Sequence, residues 1–414
     1  MPVAVGGRGG AGAGGGSGGR EWLTMVGGKR VLAIVHTLTY LKRIVEVLDL
    51  LEGDFRIQVL CTTPPHVFGT EVPRFLHRLG LPVVPWESAK RMTFDLALAA
   101  GPGGVSEISA PLVALSHGAA YLKRITEAGP AEYGVAGLRR RDVMPDGRTL
   151  PAALVLPHRA ELRELARTCP EALPVARVIG DPVYDRITDN LPLRANYRRA
   201  LGVSAGQELV TVVSTWGRHS SFGRIDALLP RLTTELRGDH YRTAILVHPN
   251  VWSGHGHWQM RSWLAEARRR GVALIPPGDD WRPWLIASDH IIGDHGSVTV
   301  YGTLTNAPIL LASSPREEIN PASPAATLAR TAPELSPVRP LAEQLSYAAS
   351  DYRRSDYAAI AARLTSHPGG FARGMRRLLY ELLGIPRLAH EPAPAPLPPP
   401  SPPGGSAGVW EESA

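Results

Sequence analysis

Twice along this chain a series of short apolar runs, rich in branched residues, alternates with segments whose apolar residues recur at helical spacing. Val31 to Val35 precedes Leu41, Ile44, Val45, Leu48 and Leu51, which share a helix face. Phe55 to Leu60, Pro82 to Val84, Phe94 to Ala99, Leu112 to Leu115, Ala153 to Leu156 and Val175 to Ile179 read as further strands, with a helix at Val72 to Leu79. Runs that are apolar throughout, rather than alternating, belong to strands buried on both faces, so the series predicts a parallel sheet covered by helices. Between Pro182 and Gln207 the chain turns polar and carries no core strand. The alternation then restarts with Leu209 to Val213, Thr243 to Val247, Ala273 to Ile275, Ile291 to Ile292 and Ile309 to Leu311. The expectation is an α/β protein of two parallel-sheet lobes facing across a cleft.

A chain of 414 residues exceeds one ordinary core, and two domains of roughly 150–200 residues fit it. Its 43 Gly and 38 Pro are too many for a compact body, but they concentrate at the ends. Residues 1–28 are largely Gly with Ala and Ser, and 387–414 are rich in Pro, concentrated in 391–405. Neither composition can bury enough apolar area to offset its ordering entropy, so both are expected to be disordered tails. That leaves a first lobe over 29–185 and a second over 186–386.

The formal charge of +7 favours an acidic partner, yet the arginines are scattered and no aromatic-studded basic stripe appears, which argues against nucleic acid. Two cysteines, Cys61 and Cys169, cannot build a disulfide framework and suit a reducing compartment. The N-terminal stretch lacks the apolar core of a secretion signal. No window approaches the roughly 20 apolar residues of a membrane span. A cytoplasmic location is expected. Near the C-terminus, Phe371, Met375, Leu378, Leu379 and Leu382 share one helix face beside Arg373, Arg376 and Arg377. Such a helix either docks on the body or lies against an anionic membrane face as a peripheral contact.

Chemistry concentrates where strands end. Val247-His248-Pro249 and Asp294-His295-Gly296-Ser297 each stand where an apolar run gives way to a turn, the carboxyl edge at which open α/β sheets keep their ligands. Small residues opening a helix expose backbone N–H groups, which suits a phosphorylated ligand. His36 and His117 likewise follow strands in the first lobe.

Five motifs, in order over roughly residues 112–312, carry a resemblance to a known family. Ser116-His117-Gly118, followed by Tyr121, Leu122 and Lys123, looks like the Trp-His-Gly-Thr-Pro-Leu-Lys-Lys stretch of the CDP-glycerol glycerophosphotransferases that build teichoic acids. Gly180-Asp181-Pro182-Val183-Tyr184-Asp185 resembles that family's Gly-x-Pro-Arg-Asn-Asp, and Ser214-Thr215-Trp216 with Arg218 resembles its Pro-Thr-Tyr/Trp-Arg. His248-Pro249 is similar to its His-Pro, and Asp294-His295-Gly296-Ser297-Val298 through Asn306-Ala307-Pro308 to its Asp-Tyr-Ser-Ser-Val ending in Lys-Pro. Departures fall at Ser116, where the family has Trp, at Val183 and Tyr184 for Arg-Asn, and at Tyr301, where an acidic residue is expected.

The resemblance implies a GT-B fold: two Rossmann-like domains, the C-terminal one holding a nucleotide-activated donor, either a CDP-alcohol or a nucleotide-sugar, and the other receiving a hydroxylated acceptor. It implies His117 as the base that takes the acceptor proton. It also implies His248, Arg218, Thr215, Asp294, Gly296 and Ser297 around the donor's phosphates, with Asp294 ordering a loop or meeting a ribose hydroxyl rather than phosphate. His36, Gly118, Lys123 and Asp185 are the acceptor-side candidates. His36 also has the plainer reading of a bond to a neighbouring loop. No cofactor is expected, and no metal, since His255, His257, Asp289, His290, Asp294 and His295 match no metal-ligand spacing. A nucleotide-sugar glycosyltransferase or sugar epimerase of the same fold, and a GT-B scaffold that binds without turnover, are the alternatives.

Overall fold

Strand β1 (Lys29–Ile34) is apolar from Val31 onward, with Val31, Leu32, Ala33 and Ile34 all at 0% exposure. It therefore has to lie inside a sheet covered on both faces. It does so in the protein's computed structural model, which describes residues 28–400 apart from 120, 130–131, 148–150, 237 and 392–393. β1 pairs in parallel with β2 (Ile57–Thr62) on one side and β3 (Leu96–Ala99) on the other. The sheet continues through β4 (Leu112–Leu115), β7 (Ala153–Leu156) and β8 (Ala176–Val178), in the order β2-β1-β3-β4-β7-β8. Between β4 and β7 the chain makes an antiparallel hairpin, β5 (Arg124–Gly129) and β6 (Glu132–Val135), which no apolar run announces.

The second lobe repeats the plan with β9 (Glu208–Ser214), β10 (Tyr241–Val247), β11 (Ala273–Ile275), β12 (His290–Gly293) and β13 (Ile309–Leu311). All its pairs are parallel, in the order β11-β10-β9-β12-β13. Strand order reverses between β1 and β3 in one sheet and between β9 and β12 in the other. Loops leaving such neighbours diverge and open a crevice at the carboxyl edge.

Six helices position the site. In chain order they are α1 (Leu38–Leu48), α2 (Pro182–Asn190), α3 (Pro249–His255), α4 (Arg282–Ala287), α5 (Ser297–Tyr301) and α6 (Phe371–Leu383). Thr37 caps α1, its hydroxyl accepting from the Tyr40 N–H at 3.3 Å. Gly384 ends α6 at φ 66°, a left-handed conformation that favours glycine.

Three features differ from the sequence expectation. Pro82 to Val84 forms one isolated bridge, Cys61 to Val83, because the flanking Pro82 and Pro85 have no N–H to extend a ladder. Helix α6 belongs to the first lobe: Phe371, Met375, Leu378 and Leu379 share a core cluster with Val31, Ile44 and Leu98. Its apolar face is therefore consumed by the body, and Arg376, 3% exposed, donates to the Leu388 and His390 carbonyls at 3.3 and 3.0 Å instead of facing outward. Part of the Pro-rich stretch also has a place in the body. Leu397 is 2% exposed, its N–H donating to Asn190 Oδ1 at 2.9 Å and its carbonyl accepting from the Tyr197 hydroxyl at 3.0 Å. Among the described residues no helix is long and apolar enough to cross a membrane.

Candidate functional site

The two carboxyl edges face one another and enclose a cavity of about 890 Å³, within the size range of small-molecule sites. The lobes are tied together beside it by main-chain bonds. Arg124 N–H donates to the Glu318 carbonyl at 2.8 Å, and Asn320 N–H to the Leu122 carbonyl at 2.7 Å. Across the opening, the Lys123 ammonium sits 4.7 Å from the Trp216 ring centroid, and Trp216 meets Phe68 edge-on at 5.8 Å.

His117 and His248 line this cavity from opposite lobes. His117 leaves the end of β4 with its Nδ1 3.2 Å from the Ala100 carbonyl. A carbonyl only accepts, so Nδ1 carries the proton and Nε2 keeps a lone pair. His248 ends β10 with its Nδ1 accepting from the Asn250 N–H at 3.1 Å. Its proton is accordingly on Nε2. The backbone thus assigns the two rings opposite tautomers, one presenting an acceptor nitrogen and the other a donor.

Electrostatics keep both rings neutral. Burial pulls His117 down to about 4, and the Arg43 charge adds to the effect while the Ala100 carbonyl opposes it. The ring is exposed to the cavity, and desolvation by the surrounding cavity walls is the largest of these effects. His248 falls to about 3 through burial, then through the proximity of His117 and Lys42. Lys42, on α1, is lowered to about 8 by burial, with its ammonium donating to the Asp279 carbonyl at 2.6 Å. The Lys42 ammonium and the neutral Nε2–H donor of His248 line one floor and make it a place for an anion.

Asp294, 1% exposed, organises the second lobe's side. Its carboxylate accepts from the N–H groups of Thr215 (2.9 Å), Ser221 (2.8 Å) and Gly296 (2.9 Å). It is the loop-ordering residue that joins the turns after β9 and β12. This corrects the expected role of Gly296, whose N–H is committed to Asp294 and cannot meet a phosphate. Gly296 is required for space instead, since a Cβ there would lie 2.8 Å from that of Thr215. The Thr215 N–H is likewise spent, leaving its hydroxyl. Ser297 lines the cavity, and its hydroxyl has no protein partner among the described residues.

Gly118 and Lys123 also line the cavity, whereas three other candidates do not. His36, 2% exposed, bonds through Nε2 to the Gly103 carbonyl at 2.5 Å and fixes the loop after β3. Arg218 lies exposed within the 215–221 turn whose two ends Asp294 holds. Asp185 caps α6, accepting from Gly369 N–H at 2.7 Å and Phe371 N–H at 3.0 Å.

Sequence reasoning passed over the α1 face. Arg43, 4% exposed, lies 3.6 Å from the Asp181 carboxylate and donates to the Tyr301 hydroxyl at 3.4 Å, while that hydroxyl donates to Asp181 at 2.7 Å. Glu46 pairs with Arg282. Lys42, Arg43 and Glu46 at helical spacing look like a solvated face. The signal they gave was three charges following directly on an apolar strand and cap.

Among the described residues, no three His, Cys, Asp or Glu side chains are placed to share a metal ion. His255 meets Trp263 edge-on, His257 pairs with Glu71, Asp289 with Arg194 and Arg198, His290 with Glu208, and His295 with Glu318.

No family model matches the chain, and no curated protein sequence does. Solved structures do. The chain is similar to wall teichoic acid polymerase TagF with a TM-score of 0.58 and 13% identity, over 86% of this chain and 89% of that one. A variant of that polymerase soaked with CDPG gives 0.59 and 12%, with the same coverage. Anabaena HepE in complex with UDP-glucose gives 0.47 and 13%, over 86% of this chain and 99% of that one. At the polymerase's level of identity the likeness is one of fold: the chain has a GT-B, glycosyltransferase-like architecture.

Proposed function

We propose that this protein is a transferase that moves a phosphoalcohol or glycosyl group from a nucleotide-activated donor to a hydroxyl acceptor. The observation that carries the proposal is the pair of opposed tautomers, His117 and His248, held by backbone across one cavity. The His117 Nε2 lone pair takes the acceptor's proton as its oxygen attacks. The His248 Nε2–H, with Lys42 and the hydroxyls of Thr215 and Ser297, meets the negative charge that grows on the departing phosphate. In the phosphoalcohol version the oxygen bonds to the distal phosphorus and a nucleoside monophosphate leaves. In the glycosyl version it bonds to the sugar carbon and a nucleoside diphosphate leaves.

The ordered motifs from Ser116 to Pro308 and the likeness to a teichoic acid polymerase favour the first version. TagF carries CDPG in one of the solved structures, and HepE UDP-glucose in another. The test is a thermal-shift series with CDP-glycerol, CDP-ribitol, UDP-sugars and GDP-sugars, since a ligand bound only to the native state raises Tm. Identification of the nucleotide released on adding an acceptor then separates the two versions. No shift with any donor, and no released nucleotide, would leave a GT-B scaffold without turnover.

A further inference from the structure

The cavity extends from His117 into the first lobe, and the walls of this arm are unlike its floor. Leu112 and Ala114 are only partly buried, although β4 is flanked on both sides by β3 and β7. A central strand with partly open side chains faces a hollow rather than a packed layer. Leu154 and Val143 close the hollow behind them. Two aromatic rings bracket it. Tyr40 lies against His117 with ring centroids 4.5 Å apart, and Tyr121 packs so close to Gly137 that a Cβ there would lie 2.8 Å from its ring. Burial raises both phenols, and Tyr40, Tyr121 and Asp142 all line the same cavity. Neither phenol hydroxyl has a protein partner among the described residues.

Polar groups able to serve a ligand are few. Asp142 accepts from the Gly137 N–H at 2.8 Å and from Arg139 at 2.7 Å through both oxygens, so most of this carboxylate's acceptor capacity is already taken. A polyol in the arm would find the two phenols, the Ser116 hydroxyl beside His117 and one remaining lone pair of Asp142, too few for its several hydroxyls, and each hydroxyl left unpaired weakens binding. An apolar ring loses nothing there and gains the burial of its faces.

On the reading of His117 as base, we infer that the acceptor is a hydroxylated molecule with an apolar, ring-sized body, seated between Tyr40 and Tyr121 with its hydroxyl directed at His117 Nε2. Its body packs on Leu112, Ala114 and Leu154, and a second oxygen, where it has one, meets a phenol.

Fluorescence titration of the full chain with umbelliferone, a planar hydroxylated probe, tests this. We expect saturable binding that glycerol and glucose at millimolar excess do not displace. Ala114→Phe, which fills the hollow, should weaken the probe at least about tenfold, the equivalent of 1.4 kcal/mol, while leaving nucleotide binding as in the unaltered chain. Absence of probe binding, or its displacement by either polyol, would overturn the inference, and both are read on the unaltered protein whether or not the variant folds. Nucleotide binding without probe binding would sink the acceptor assignment and leave the transferase reading standing. Probe binding without any nucleotide binding would overturn the transferase reading, and the acceptor assignment with it, leaving only a hollow that holds an aromatic ring.

Discussion

Gly118 and Ser297 touch across the cleft: a Cβ built on Gly118 would stand 2.4 Å from the Ser297 hydroxyl oxygen and 3.3 Å from its Cβ. One follows His117, the proposed base, and the other opens α5 on the opposite lobe, so the hydrogen at position 118 lets the two halves of the site approach this closely. Gly118→Ala can be accommodated if the Ser297 hydroxyl rotates away, whereas Gly118→Val must push the lobes apart. Displacements near an ångström cost on the order of a hundredfold in rate when reacting groups are held by different elements. We expect kcat/KM to fall at least about tenfold in Gly118→Val, with Tm changed little. Ser297→Ala should partly restore Gly118→Ala, and a double-mutant cycle showing simple additivity would refute the contact.

With His117 as the proposed base and Lys42 at the donor's phosphates, their titrations predict a window for turnover. A base must be unprotonated, and His117 is held down to about 4, so the rate should rise with pH through that region and stay flat through pH 6.5, where an ordinary histidine titrates. Lys42 is lowered to about 8. Above that pH its charge is lost, and with it part of the attraction for the donor's phosphates. A pH profile of kcat/KM should therefore carry an alkaline limb near 8, absent from Lys42→Arg because guanidinium stays charged. An acid limb near 6.5, or an alkaline limb unchanged in Lys42→Arg, would contradict the assignments.

Most of the architecture could be read in advance because it rests on strands buried on both faces, whose composition is unambiguous. Val31 to Val35, Leu209 to Val213 and Thr243 to Val247 could only be central strands. Likewise His117, His248 and Asp294 stand where such strands stop. What escaped was decided by the other lobe. Arg43 and Lys42 belong to a helix whose polar face ought to be wet, and only the approach of Tyr301 and Asp279 dries it. Asp185 looked functional from its motif, but its carboxylate is claimed by the start of α6, nearly two hundred residues away. Leu397 lies in a stretch whose composition says disorder. One leucine entering a pocket between α2 and its neighbours is invisible to any average over Pro-rich sequence.

The Arg43, Asp181 and Tyr301 cluster gives a graded test of what holds the lobes closed. Tyr301→Phe removes the hydroxyl between Asp181 and Arg43 but leaves their ion pair at 3.6 Å. One buried hydrogen-bond partner is lost, and about 1–3 kcal/mol of stability should go with it. Arg43→Met does more, leaving the buried Asp181 carboxylate without its counter-charge, a change that typically costs about 3–5 kcal/mol. Urea denaturation should rank the variants in that order. Equal losses would mean that Tyr301, not Arg43, satisfies Asp181.

Leu397 tests whether the Pro-rich strap is part of the folded body. Its side chain is 2% exposed, and its backbone answers Asn190 Oδ1 and the Tyr197 hydroxyl, two buried polar groups next to the start of the second lobe. Ending the chain after residue 390 removes the leucine and strips Tyr197 of that acceptor, although Asn190 Oδ1 still lies 3.1 Å from it. Leu397→Ala keeps both backbone bonds and removes only the side chain, for which core truncations cost about 2–5 kcal/mol. We expect the truncation to lower thermal stability further than Leu397→Ala, because to the same cavity it adds the loss of both Leu397 backbone bonds, of the Arg186 bond to the Ala395 carbonyl and of the Glu391 ion pairs. If both leave Tm unchanged, the strap contributes no stability. If they are equal, the side chain alone anchors it and the bonds to Asn190 and Tyr197 are replaced by water.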